Sequence, residues 1–265
     1  SPDSLSVMEF KNEKDTIITE KAHRFPKLGD QSESWFLKLK NEFHMTGDSR
    51  LFRSEQGKCR LPLFEGKMFH QYDSHWGEPK YWIDEKEARL ELLGGEKDRE
   101  QVLDYQRYRI AFRDVAASTN ERAMIMTILP RYVFCPHTVS LEDIEQSKLT
   151  RGVRFFLLAM MNSFIIDYLI RQRITNHLSF YFIYGLPVPR LTESDPAFGQ
   201  IVKRAARLIC TTPEFDDLAK KAGMKSYKDG ATDPVERAKL RAELDGLIAH
   251  LYGLTEDEFA HILKT

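Results

Sequence analysis

The sequence predicts an α+β protein, with a mixed β-sheet and one long buried helix over residues 1–190 and a small all-helical part over 191–265. Three observations lead there. Short runs around 61–69, 108–112 and 124–128 alternate apolar with polar residues at the period of a strand. The run GVRFFLLAMMNSFIIDYLI (152–170) is apolar over the length of a helix. Beyond Thr192 the pattern is helical only.

Taken in order, the first thirty residues show little periodicity and no visible helix start. A short amphipathic stretch at 35–43 precedes MTGDSRLF (45–52), a turn by composition. CRLPLFEGKMFHQYD (59–73) alternates across Leu61, Leu63 and Phe69 and predicts a strand, which Pro62 and Gly66 weaken. Residues 84–103 are helix formers broken by Gly94-Gly95 and predict a surface insertion. Tyr108, Ile110 and Phe112 alternate with Arg107, Arg109, Ala111 and Arg113, which predicts a half-buried strand with an arginine-bearing face. Residues 124–128 form a second strand stopped at Pro130, and YVFCPHTVSL (132–141) a third. One helix is expected over 152–173, then a strand in SFYFIYGLPVPR (179–190) with a proline-stiffened exit. Asp195-Pro196, Thr212-Pro213 and Asp233-Pro234 each place proline in a first helical turn. Thr255 and Glu258 make a capping box that opens the last helix.

The 265 residues are 42% apolar and 30% charged, the balance of a soluble globular protein, with a net charge of −1. Bulk basicity is therefore absent, but residues 107–190 carry eleven Lys/Arg against six Asp/Glu. A basic middle is what a footprint on phosphate looks like. Asn162, Ser163 and Asp167 interrupt the long apolar run and Arg151, Arg154 and Arg171 bracket it, so it reads as a core helix and not a membrane span. Three scattered cysteines form no disulfide framework and fit a reducing cytoplasm.

Several chemistries are excluded by spacing. No two prolines are adjacent, so an NPPY loop that grips an extruded amino base is impossible. No G-x-G occurs, which removes dinucleotide and methyl-donor turns. G-x-S-x-G, H-E-x-x-H and C-x-x-C are also missing. The remaining catalytic candidate is Glu65-Gly66-Lys67, an E-x-K that with Asp48 has the form of a magnesium nuclease site. The plainer alternative is an exposed pair of opposite charges on a strand. Cys59, His70 and His75 match no ordinary zinc module. The end of the chain has helix-turn-helix packing positions, but its second helix opens Glu256-Asp257-Glu258, which repels phosphate.

The strongest binding signal is a glycine-free polar loop between the two central strands. It carries Arg113, Thr119, Asn120 and Arg122, and a second set, Arg171, Arg173, Asn176 and His177, follows the apolar run. Arginine and asparagine read guanine and adenine edges and also grip phosphates. Alternatively Asp114, Ser118 and Asn120 bond within the turn, with the arginines paired to Asp114 and Glu121. The residues alone leave both open.

EFHMTGDSRLF, LPLFEGKMFHQYD, YRIAFRDVAASTNERAMIMTILP, MNSFIIDYLIRQRITNHLSFYFIYGLPVPR and RAELDGLIAHLYGLTEDEFAHIL occur in that order. Together, over about residues 36–265, they resemble the C-terminal part of large bacterial restriction–modification proteins that carry an adenine-N6 DNA methylase, the part holding a TaqI-like specificity domain. The resemblance implies that the NPPY loop and the S-adenosylmethionine site lie in an upstream domain. This chain is then expected to be the non-catalytic target-recognition portion of a longer polypeptide, without a cofactor or metal of its own. Its implied partners are double-stranded DNA, read in the major groove, and the upstream methylase domain. Family motifs land on residues 113–122 and 162–190. Target sequences differ among members, so no base contact is carried over residue by residue. Ser74-His75-Trp76 stands where relatives often show basic residues, which weakens any phosphate role there. A protein-interaction module using the acidic helical tail is the remaining alternative.

Overall fold

A computed structural model describes residues 12–115, 120–172 and 177–264. It opens with a helix the sequence pattern did not announce, α1 (Glu13–Ala22), started by a capping box between Asn12 and Asp15. Strand β1 (Leu39–Lys40) and the turn at 44–51 follow, then β2 (Arg60–Leu63), β3 (Tyr81–Asp84) and α2 (Glu85–Leu92). The expected strand at 59–73 stops at Leu63 and tightens into a 3-10 turn at Gly66–Met68. Helix α2 is capped by the Asp84 side chain and ends at Gly94 and Gly95, whose φ values of 57° and 95° suit glycine. The supposed surface insertion thus continues from β3, and its Ala88 is buried with Phe43, Ile83, Tyr105 and Phe134.

The central strands are β4 (Arg109–Arg113), β5 (Met126–Leu129) and β6 (Val139–Glu142). The larger sheet has the order β1-β6-β4-β5, and β2 pairs with β3 separately. Every ladder between these strands is antiparallel, with Ala111 opposite both Thr127 and Leu141. The expected mixed pairing is confined to isolated parallel bridges, Phe43 with Pro136 and Leu63 with Phe134.

Strand β4 is covered on both faces. Ile110 and Phe112 face the largest apolar cluster, while Ala111 packs with Val139 and Leu141 in a second. Its arginine-bearing face is therefore no solvent face. Arg109 is fully buried and paired with Glu42, and it donates to the Val133 carbonyl at 2.6 Å. A guanidinium in such a place is tolerated because its charge is matched by Glu42 and two of its nitrogens donate, although Nε has no partner.

The apolar run is buried as expected, but it is two helices, α3 (Arg151–Met161) and α4 (Phe164–Arg171), bent by 57°. The break has a local cause. Asn162 ends α3 and turns its amide away to the β5 backbone, and the Ser163 hydroxyl caps α4 by accepting from Ile166 N at 3.4 Å. No single described helix is long and apolar enough to cross a membrane.

The expected strand at 179–190 begins instead as a short helix, α5 (Phe180–Tyr184), capped by Ser179. Only its exit is extended, with Leu28 N donating to Leu186 O and Val188 N to Pro26 O. The tail is α6 (Pro196–Ile209), α7 (Asp216–Lys221), α8 (Pro234–Leu251) and α9 (Glu256–Ile262). Proline occupies the first turn of α6 and α8, as the sequence predicts, and Thr255 with Glu258 caps α9. These helices share the largest apolar cluster with α1, α3 and α4.

Candidate nucleic-acid interface

The polar loop leaves β4 at Arg113 and returns to β5 at Met126. Thr119, Arg173 and Asn176, three of the eight predicted contacts, lie outside the described residues. The other five come together at one junction, where the loop meets the end of α4 and the chain that follows it.

Three side chains from the helical run build this junction. Asp167, 3% exposed, accepts from Ala123 N and Met124 N at 2.8 Å each, and from Arg171 Nε at 2.8 Å. Arg171 then donates its Nη2 to the carbonyls of Asn120 and Glu121, both at 2.6 Å. Asn162 closes a two-way amide pair with Met126, its Oδ1 accepting at 3.0 Å and its Nδ2 donating at 2.9 Å. A buried backbone group without a partner is costly, so these bonds are what let a glycine-free loop hold its course.

The remaining predicted residues divide by exposure. Arg113 is half-buried and donates to the Phe69 carbonyl, and burial lowers its pKa. Arg122 is nine-tenths buried and donates to the Asn162 carbonyl, with its guanidinium 4.0 Å from the Phe164 ring centroid. Asn120 is exposed. His177 is exposed too; its Nδ1 lies 3.0 Å from Asp114 Oδ2, and Leu178 N donates to Asp114 O at 2.8 Å. The alternative of a self-bonded turn with arginines paired to Asp114 and Glu121 is not what the described residues show. The bracing comes from Asn162, Asp167 and Arg171, and Asp114 faces His177. Arg113, Arg122 and Arg171 donate to carbonyls, while Ser118 lies outside the described residues.

Behind the loop lies a cavity of about 300 Å³ lined by His70, Tyr72, Arg122, Phe164, Arg241 and Asp245, among others. Asp245 accepts from Phe164 N at 2.9 Å, and burial pushes its carboxyl up to about 6. Burial, then the nearby Arg113 charge, holds His70 below the usual histidine range. Tyr72 has φ 58°, a strained position for a tyrosine, and its carbonyl accepts from Arg237 at 3.2 Å. Sequence reasoning missed Arg241 and Asp245, which sit on a polar helix far from the loop. It also used Asn162 and Asp167 only as arguments against a membrane. Polar residues inside an apolar run were the signal that could have found them.

The nuclease candidates take ordinary roles. Lys67 Nζ lies 3.2 Å from Glu65, and Asp48 accepts from His44 N at 2.6 Å to close a turn. His75 pairs with Glu214 at 2.6 Å, and the His70 ring lies tilted against Trp76, with centroids 4.8 Å apart. Among the described residues no group of three His, Cys, Asp or Glu side chains is placed to hold a metal ion.

No protein-family model matches the chain, and no curated protein does. Solved structures do. The chain is similar along 99% of its length to 37% of the type IIL restriction–modification enzyme MmeI, solved in complex with DNA, at 10% identity and a TM-score of 0.50. Looser likenesses join 90% of it to 33% of the type IIG restriction endonuclease BpuSI (10% identity, TM-score 0.48), and 91% of it to 52% of a type I restriction–modification chain (12%, 0.36). At these identities the likeness is one of fold. The chain spans roughly a third of the MmeI and BpuSI chains.

Proposed function

We propose that this chain is the DNA target-recognition region of a restriction–modification enzyme whose adenine-N6 methylase domain lies elsewhere in the same polypeptide. The observation that carries the reading is the nearly end-to-end likeness to one portion of MmeI, an enzyme solved on DNA. The ordered family motifs of the sequence support the adenine-methylase assignment independently. This chain contributes position and no reacting group. Its residues do not suit S-adenosylmethionine, having neither a G-x-G turn nor an NPPY loop, so that cofactor belongs to the other domain.

Duplex DNA is the ligand. Asn120 and His177 present exposed side chains on a frame held by Asp167, Arg171 and Asn162. Residues held in this way lose little conformational freedom on binding, so the contacts of Asn120 and His177 are not spent on ordering the backbone beside them. Arg113 and Arg122 serve the frame as much as the ligand, which makes exposed positions the cleaner probes.

The test is a mobility-shift series on a library of short duplexes across salt concentrations. Binding that weakens steeply with salt, and that the double variant Asn120→Ala, His177→Ala lowers by about tenfold on its preferred duplex, is expected. Absence of binding to any duplex at low salt overturns the reading. Plasmid incubated with magnesium is expected to stay uncut; cleavage abolished by Glu65→Gln would return the site to Asp48, Glu65 and Lys67.

A further inference from the structure

The cavity behind the loop contains an electrostatic debt that the fold itself does not settle. The Arg122 guanidinium is nine-tenths buried, yet its Nε and Nη1 have no hydrogen-bond partner. No carboxylate forms an ion pair with it among the described residues; its contacts are one carbonyl and one aromatic face. A buried cation without a counter-ion is costly, because the water it has lost is not replaced. Arg241, exposed on α8 at the same cavity, forms no hydrogen bond or salt bridge among the described residues, though its charge, like that of Arg122, is felt by Asp245. The carboxylate available to both, Asp245, is turned to the first backbone N–H of α4 instead.

The larger groove beside the start of α3, about 660 Å³, is lined by Arg151, Arg154 and Lys221. There Arg154 already serves Glu142 and Lys221 serves Asp217.

We infer that the cavity between the β4–β5 loop, α4 and α8 binds a phosphate group, held jointly by Arg122 and Arg241. Guanidinium N–H groups suit phosphate oxygens, and a tetrahedral anion accepts from two directions at once, from the loop below and from α8 above. Arg122 lies over the Phe164 ring with Nε and Nη1 unpartnered but closed off from solvent, so seating the anion requires the guanidinium to turn toward the cavity it lines. As a deepening of the proposed function, which it rests on for this source, the group is a backbone phosphate of the duplex seated beside the loop. The same chemistry is available from free inorganic phosphate.

Two variants keep the test independent of folding. Arg241 is exposed, so Arg241→Gln leaves the core intact. Asp245→Asn keeps an acceptor for Phe164 N while removing a negative charge. Inorganic phosphate is titrated calorimetrically into the whole chain at constant ionic strength, with chloride as control. Wild type is expected to bind phosphate, Arg241→Gln about tenfold more weakly, and Asp245→Asn several-fold more tightly. In a second arm, Arg241→Gln is expected to lower the salt slope of duplex binding by about one. Phosphate binding sensitive to both variants, with duplex binding unchanged, supports the pocket and assigns it to the free anion. Phosphate binding without any duplex binding keeps the pocket and overturns the recognition reading. Duplex binding with neither phosphate binding nor any effect of the variants overturns the pocket and leaves the recognition reading standing.

Discussion

The β4–β5 junction and the C-terminal helices are both well buried, but they are held by opposite means. At the junction, Asp167, Asn162 and Arg171 satisfy backbone groups of the loop one by one, with bonds of 2.6 to 3.0 Å. Among the helices, Ile201, Ala205, Leu208, Leu244 and Ile248 fill an apolar layer against α3 and α4, and pairs such as Arg204–Glu243 and Lys221–Asp217 lie outside it. Directional bonds fix a shape that has no regular structure of its own, whereas apolar packing fixes an area of contact. The proposed recognition surface draws on the first kind of support, and the helical scaffold on the second.

Replacing Asp167 breaks the comparison most severely. Asp167→Ala strands two backbone N–H groups and removes the carboxylate that Arg171 Nε donates to, and is expected to cost roughly 3–5 kcal/mol. Urea unfolding measures it, and hydrogen exchange should show protection lost first at 120–126. Ile201→Ala, in the fully buried helical layer, is expected to cost about 2–4 kcal/mol through transfer and cavity terms. The conservative changes sharpen the contrast: Ile201→Leu should cost less than about 1.5 kcal/mol, while Asp167→Asn stays damaging because the charge on Arg171 loses its match.

Asp245 joins the two regions and gives a pH signature. Burial raises its carboxyl from 3.8 to about 6, against the lowering effects of Phe164 N, Arg122 and Arg241, with Asp167 raising it further. The folded chain therefore holds this proton more tightly than the unfolded chain does. The resulting stabilisation is complete below the ordinary carboxylate range and is lost as pH rises through about 6, by at most about 3 kcal/mol. Asp245→Asn should flatten that part of the stability profile; an unchanged slope between pH 4 and 7 would show that Asp245 is not the titrating group. The smallest effect belongs to the tail surface, where Lys221→Ala, breaking an exposed pair with Asp217, should leave the melting temperature unmoved within error.

Much of the fold was legible where local chemistry decides it. Proline in the first turns of α6 and α8, and Thr255 with Glu258 at α9, act within a few residues and were read correctly. The kink at Asn162-Ser163 was visible as two polar residues in an apolar run. That it ends one helix and starts another depends on Met126, thirty-six residues away. FYFIY is made of aromatic and β-branched residues, as strands are, and folds instead as a short helix capped by Ser179. The candidate contacts were two separate sets in the sequence, and the structure brings Arg113, Asn120, Arg122, Arg171 and His177 of those sets to one junction. Their division into exposed and buried was illegible, since an arginine on a loop carries no local sign of whether a carbonyl waits for it.

The amino-acid order by itself determined an α+β chain, its central strands, a buried apolar run and a polar loop without glycine, because periodicity and capping are short-range. Tertiary structure alone decided that Arg109 is buried, that Asp167 and Arg171 hold the loop, and that Arg122 and Arg241 face one cavity. Those outcomes depend on which distant backbone groups have lost water, and desolvation is a property of the assembled fold.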